Sequence, residues 1–286
     1  MKRLAILFLS LAATVGAAVA QSDVRFHNEA SDTLRLTRLL DDAAAQSFAN
    51  PEARVAYFGR TFIGTPYVAH TLECDEEILT VDLDELDCTT FVETAMALAY
   101  TMGETRRSWR DYVYNLRRLR YRNGEVNGYP SRLHYICDWA VDNIHRGNFK
   151  DATRDFPRSN DMARTIDFMS SNRDKYAALA DSANYARIRS IESGYRLHRF
   201  PYIKTVDLSH KEMQKAFHDG DVVALVSALK NIDVTHMGIV ILQDGIPYLL
   251  HASSKDGKVE ISDRPLSDFM KRNRQWIGIR VFRLAE

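Results

Sequence analysis

From Gly220-Asp221 onward the chain drops its helical period and alternates short apolar runs with turn signals. The runs at 222–226, 237–242, 246–250, 259–261 and 277–282 are each of strand length. Gln243-Asp244-Gly245 and Lys255-Asp256-Gly257 are hairpin signals, so five strands are expected in an antiparallel meander. Such a sheet has an apolar face that something upstream must cover. Over 32–58, Leu34, Leu36, Leu39, Leu40, Ala43 and Ala44 recur at helical spacing, until Phe62-Ile63-Gly64-Thr65-Pro66-Tyr67 breaks the pattern as a loop. After an acidic stretch over 73–87, the run 88–99 is rich in helix formers and apolar on most faces. It reads as a buried helix beginning at or just before Cys88.

Between 103 and about 219 the composition is charged and helical in period. Tyr112, Leu116 and Leu119 share one face, and 135–144 is a second amphipathic candidate. The arginines at 117, 118, 120 and 122 read as a solvated face. No Gly-rich or Ser-rich linker, repeat or low-complexity tract divides the chain. The expected fold is therefore α+β: one domain over 21–286, a buried helix on a five- or six-stranded antiparallel sheet, with a large helical insertion at about 103–219.

The first twenty residues stand apart. Lys2 and Arg3 precede an apolar run over 4–11, and small residues end in Ala18-Val19-Ala20. That run is too short to span a bilayer and is followed by a small-x-small site, so 1–20 is expected to be a signal peptide, cleaved after about Ala20, of an exported, periplasmic protein. Gln21 follows where a lipoprotein would carry cysteine. Of 286 residues 45% are hydrophobic and 27% charged, which excludes a disordered chain. Acidic and basic residues balance at 38 each, so no basic footprint for nucleic acid exists. Removing 1–20 leaves a charge of about −2. No later segment is expected to enter a membrane, and a monomer is expected.

Cys74, Cys88 and Cys137 are an odd number, so in an oxidising compartment at least one thiol stays unpaired. A small buried core residue is the plain explanation for each. Cys88 invites another, because a cysteine in the first turn of a helix sits where free N–H groups and the dipole favour a thiolate. Its candidate base and orienter are His236 and His251. They start and end two runs joined by the Asp244-Gly245 turn, and counting outward from that turn makes them neighbours. No His-Glu-x-x-His or Cys-x-x-Cys occurs among the nine histidines and three cysteines, so neither a metal nor another cofactor is expected.

Four separated segments now resemble the NlpC-type cysteine hydrolases of bacterial cell walls: Gly64-Thr65-Pro66-Tyr67-Val68, Leu86-Asp87-Cys88-Thr89-Thr90-Phe91-Val92, Gly220-Asp221-Val222-Val223, and Thr235-His236-Met237-Gly238-Ile239-Val240 followed by Leu250-His251-Ala252-Ser253. The resemblance implies a papain-like core in which Cys88 is the nucleophile, His236 its base and His251 the residue that orients it, with Tyr67 beside the sulfur. Thr89-Thr90 departs from the usual Ser-Gly. That departure, the long insertion, and Ser131-Arg132-Leu133-His134-Tyr135 with Asp138-Trp139 resemble the N-acetylmuramoyl-L-alanine amidase-like branch. This implies cleavage of the amide between N-acetylmuramic acid and L-alanine in soluble peptidoglycan fragments, anhydro-ended muropeptides included.

A muropeptide offers carboxylates, amides and a sugar face, so Thr65, Tyr67, Glu73, Asp87, Arg132, His134, Tyr135 and Trp139 are the expected substrate contacts. Asp87 reads equally well as a plain helix cap, and Tyr135 with Trp139, four apart, as a core pair. A peptidase cutting the D-glutamyl to diamino acid bond would use the same catalytic residues. A noncatalytic wall-binding module would have no need of Cys88, His236 and His251 together, and a transglutaminase-like enzyme would carry an Asp where His251 stands.

Overall fold

The structure, a computed structural model, describes residues 24–285, so the signal peptide expected at 1–20 lies outside it. Strand β1 (Val24–Phe26) leads into helix α1 (Glu29–Ala44), which begins where the Asn28 side chain accepts the Ser31 N–H. Helix α2 (Pro51–Thr61) follows, capped by Asn50 with Pro51 in its first turn. The helical period over 32–58 is therefore two helices. Strand β2 (Leu79–Val81) pairs in parallel with β1, and α3 (Cys88–Gly103), α4 (Trp109–Arg120) and α5 (Ile136–His145) complete the helical layer.

The segment from 149 to 214 corrects the expectation of a purely helical insertion. It carries β3 (Phe149–Asp151), β4 (Ser159–Arg164), α6 (Phe168–Ser171), α7 (Ser182–Ser193), β5 (His198–Lys204) and α8 (Lys211–Gln214). Strand β4 reads Ser-Asn-Asp-Met-Ala-Arg and lies at the sheet edge, where few apolar residues are needed, so no period of two shows in its sequence. The C-terminal strands are β6 (Val222–Ser227), β7 (Val234–Gln243), β8 (Ile246–Ser253) and β9 (Lys258–Ile261), then helix α9 (Leu266–Lys271) and strand β10 (Trp276–Leu284).

The sheet is eight-stranded, not five- or six-stranded, in the order β4-β5-β10-β6-β7-β8-β9 with β3 on β10. Nor is it a simple meander, because α9 carries the chain back so that β10 pairs with β6 on the side away from β9. The β7–β8 hairpin turns through Asp244 and Gly245, both at positive φ (51° and 76°), the backbone twist that a two-residue hairpin requires.

Both sheet faces are covered. Helix α3 is apolar nearly all round, with Phe91, Val92, Ala95, Met96 and Leu98 buried in one cluster that also takes in Leu36, Ile239, Leu250 and Phe282. On the opposite face Val223, Leu225, Val240 and Leu249 pack with Leu266 and Met270. Glu93 on α3 accepts from Arg120 Nε of α4 at 2.6 Å, and Arg120 Nη1 donates to the Thr80 carbonyl at 2.7 Å, so the buried ion pair is also hydrogen-bonded. Gly220 (φ 95°) lets α2 approach so closely that a Cβ there would stand 1.8 Å from the Glu52 carbonyl oxygen. Asp221 is buried against Arg283, whose Nε donates to it at 2.7 Å. The Gly-Asp pair is thus a packing device that seats α2 on the sheet.

Candidate active site

Cys88 is the first residue of α3. Asp87 caps the helix through Oδ1, which accepts the Thr89 N–H at 2.9 Å, the Thr90 N–H at 2.7 Å and the Thr90 hydroxyl at 2.9 Å. Thr90 Oγ1 in turn accepts the Asp87 N–H at 2.9 Å. Thr90 therefore has a structural reason to stand in this motif. The Cys88 N–H faces its own sulfur at the helix start, and no other residue's acceptor is recorded for it among the described residues.

Strand β7 brings up the histidines. Its register with β6 shifts between Val226↔Val234 and Leu225↔His236, so Thr235 bulges and His236 is re-aimed. Opposite Cys88, the Met237 N–H faces the sulfur. Ile239 stands across from Leu250, which makes His236 and His251 diagonal neighbours across the hairpin. They meet nevertheless: His236 Nε2 and His251 Nδ1 share a hydrogen bond of 2.9 Å, with the rings at 87°. Two aromatic residues hold the pair. Trp276 stacks on His236 (centroids 5.7 Å, 17°) and donates its Nε1–H to Thr235 Oγ1 at 3.2 Å, while Phe269 meets the His251 edge at 5.1 Å. Sequence reasoning missed both. The signal was a Trp opening the last strand, which becomes meaningful only once β10 is known to return beside β6.

The electrostatics overturn one expectation. Burial, and after it the Asp87 carboxylate, push the Cys88 thiol up to about 12, against the pull of the Met237 N–H and the Thr89 hydroxyl. The helix start does not make a thiolate here, first because the sulfur is buried and then because the Asp87 charge opposes a second anion. Burial, then its neighbour His251, lower His236 to about 3, and burial lowers His251 to about 4 against the Asp256 carboxylate. Both shifts favour the uncharged forms, a thiol at the helix start and a neutral imidazole pair on the strand whose Met237 N–H faces it. Tyr67 stands near Cys88, its phenol raised by burial and then by Cys88 and Asp87. The loop that carries it is laced to β9 and to the cap: Gly64 N–H donates to the Val259 carbonyl, Val259 N–H to Thr65, Tyr67 N–H to Gly257 and Leu86 N–H to Pro66, at 2.8–3.0 Å. Thr65 serves there through its backbone, with its side chain buried.

Residues 57–279 match the family described as N-acetylmuramoyl-L-alanine amidase-like (AmiA-like). The chain belongs to that family. It is 36% identical to an N-acetylmuramoyl-L-alanine amidase from Bacteroides uniformis of known crystal structure, over 82% of this chain and 99% of that one, with a TM-score of 0.77. A Bacteroides fragilis structure with a provisional xylanase name is also 36% identical, over 79% of this chain and 99% of that one, with a TM-score of 0.74. A Legionella pneumophila protein at 20% identity, covering 90% of this chain and 96% of its own, shares the fold with a TM-score of 0.72. No curated protein matches the sequence.

The remaining expected contacts of this amidase-like chain are engaged by other protein groups or buried. Glu73 is exposed and accepts from Arg132 Nη2 at 2.9 Å. Arg132 is itself buried, with Nε 3.2 Å from Glu77, so two carboxylates already occupy it. His134 Nε2 bonds the Tyr129 carbonyl at 2.9 Å, and burial lowers it to about 3. Tyr135 and Trp139 are core residues and not substrate contacts. The Tyr135 hydroxyl donates to Glu192 at 2.6 Å and accepts the Met169 N–H at 2.7 Å. Trp139 is 0% exposed between Phe149 and Phe282 and has no surface to offer a sugar. Cys74, Cys88 and Cys137 are all free thiols, and Cys137 is buried. Among the described residues no three His, Cys, Asp or Glu side chains group as metal ligands, and no helix is long and apolar enough to cross a membrane.

Proposed function

We propose that this chain is an N-acetylmuramoyl-L-alanine amidase with the papain-like core of the NlpC-type cysteine hydrolases, exported to the periplasm, acting as a monomer on muropeptides, anhydro-ended ones included. The observation that carries the reading is the hydrogen-bonded His236–His251 pair on the strand whose Met237 N–H faces the Cys88 sulfur at a helix start. The family to which the chain belongs and the amidase name of its Bacteroides uniformis relative select the bond.

In this mechanism Cys88 Sγ attacks the lactyl carbonyl carbon of the muramoyl amide. With the thiol near 12 and the imidazole near 3, proton transfer to His236 accompanies formation of the C–S bond and does not precede it. The Cys88 N–H and the protonated Tyr67 phenol hold the oxyanion. His251 accepts from His236 Nε2–H in this mechanism, which leaves Nδ1 as the basic nitrogen and steadies the ring as it gains charge. The tetrahedral intermediate collapses with rupture of the C–N bond, and His236 protonates the departing L-alanine amine. Water, deprotonated by His236, then splits the thioester to the muramic lactyl carboxylate and restores the thiol.

The xylanase name borne by one relative finds no support in the site. Retaining and inverting glycosidases hold two carboxyl groups about 5–9.5 Å apart across the sugar. Of the carboxyls beside the histidine pair, Asp256 accepts from the Ser253 hydroxyl at 3.0 Å and Asp263 from Arg264 Nε at 2.6 Å, so both are engaged by the protein. Mass spectrometry of the products from a defined muramoyl tripeptide tests the reading. The amidase releases the intact peptide with a free L-alanine amine. Release of muramyl dipeptide, or of an L-alanyl-glutamate dipeptide from a free stem peptide, would assign the D-glutamyl to diamino acid bond and overturn it. No cleavage at all would leave a wall-binding module.

A further inference from the structure

A cleft of about 590 Å³ opens on the histidine side of the site, and none of the substrate contacts read from the sequence lines it. Its walls are the β8–β9 turn on one side and α9 with the residues after it on the other. His236, His251, Phe269 and Trp276 form the surface where it meets the reacting groups. Cys88 does not line it. The position carries meaning, because His236 is the group that hands a proton to the departing amine. Whatever leaves must therefore pass across His236, away from the sulfur.

The cleft is also built for charge. Lys255, Arg264 and Arg272 face it, opposed by Asp256, Glu260 and Asp263. Arg264 is committed to Asp263, with Nε donating at 2.6 Å. Asp256 is engaged by the Ser253 hydroxyl, which donates to it at 3.0 Å, and Glu260 is raised by burial and by the neighbouring Asp256 carboxylate. The Lys255 ammonium and the Arg272 guanidinium have no hydrogen-bond partner among the described residues. Nor has the second ring nitrogen of His251, a side chain only 4% exposed whose Nδ1 is used on His236.

We propose that this cleft receives the leaving half of the substrate, a peptide whose carboxylates pair with Arg272 and Lys255. The proposal rests on the Cys88–His236 chemistry above and adds where the peptide lies and what selects it. An acidic peptide is favoured over a neutral one because Lys255 and Arg272, although they stand near Asp256 and Asp263, keep their donors free of hydrogen bonds among the described residues. The histidine and aromatic surface then positions the first residue of the peptide next to the scissile nitrogen.

The test compares a muramoyl tripeptide bearing free carboxylates with the same compound amidated at those carboxyls, using the wild type, Arg272→Gln, Lys255→Gln and the double variant. Charge-assisted contacts at a partly exposed site predict that each single change lowers the ratio of kcat/KM for free over amidated substrate about three- to tenfold, mainly through KM. An unchanged ratio in the double variant overturns the cleft assignment while leaving hydrolysis intact. Calorimetry of the free tripeptide with Cys88→Ala separates the two readings. Binding that Arg272→Gln weakens, in an enzyme that does not cut the muramoyl amide, keeps the cleft and rejects the bond. No binding, together with an unchanged ratio, rejects the cleft.

Discussion

Asp87 does two things at the start of α3, and two substitutions pull them apart. Its Oδ1 gathers three hydrogen bonds at 2.7–2.9 Å, from two backbone N–H groups and the Thr90 hydroxyl. Its charge also raises the Cys88 thiol, second only to burial. Asp87→Ala removes the cap and costs about 1–2 kcal/mol, the upper part of the usual range because the Thr90 hydroxyl loses its bond to the carboxylate along with the two backbone N–H groups. In a domain of this size that is a fall in Tm of about 2–8 °C. Asp87→Asn keeps an acceptor oxygen in place, so it holds most of the stability while removing the charge beside the sulfur. The thiol then titrates lower, and iodoacetamide alkylates Cys88 faster at pH 8 than in the wild type. Differential scanning calorimetry and alkylation followed by mass spectrometry read the two effects separately. An unchanged Tm in Asp87→Ala would refute the cap. Slower alkylation in Asp87→Asn would refute the electrostatic argument.

The two histidines should differ in how much they matter. His236→Ala removes the proton carrier and should cost at least ~10²- to 10⁴-fold in kcat/KM. His251→Asn can still accept from His236 and should retain measurable turnover; equal inactivity of the two folded variants would contradict the assignment. Trp276→Ala, which loses both the stacking on His236 and the bond to Thr235, should lower kcat more than it raises KM, and an effect on KM alone would argue against a positioning role. Stability should also depend on pH through His251. An unfolded histidine near 6.5 binds a proton that the folded residue, at about 4, does not, so stability falls as pH drops from about 6.5 towards 4. His251→Asn should make that fall shallower in urea unfolding, and a slope at least as steep as the wild type's would contradict the shift.

Much of this arrangement can be read from local chemistry. The Asp87-Cys88-Thr89-Thr90 cap, the Asp244-Gly245 turn and the His236–His251 pairing each depend on residues close in sequence or joined by one hairpin. What stays hidden depends on partners far along the chain. Trp276 reaches His236 only because β10 crosses back to β6, and nothing in 276–284 announces that return. Strand β4 is an edge strand and needs no apolar alternation, so a segment that adds to the sheet reads as helical. Tyr135 and Trp139 look like sugar platforms in isolation, yet Glu192, Phe149 and Phe282 close over them. The thiol fails the simple helix-start rule for the same kind of reason, since the burial that raises it first, before the Asp87 charge, is created by elements packed over it from elsewhere in the chain.

The account stands or falls on which half of the substrate becomes attached to Cys88. Acid-quenched wild-type enzyme, mixed with a muramoyl tripeptide and examined by intact-protein and peptide mass spectrometry, should carry the muramoyl acyl group as a thioester on Cys88. The adduct should be absent from Cys88→Ala, which should also be inactive. An adduct that also carries the L-alanyl-D-glutamyl residues would move the scissile bond into the stem peptide, and Cys88→Ala activity within about tenfold of wild type would contradict covalent catalysis by this residue.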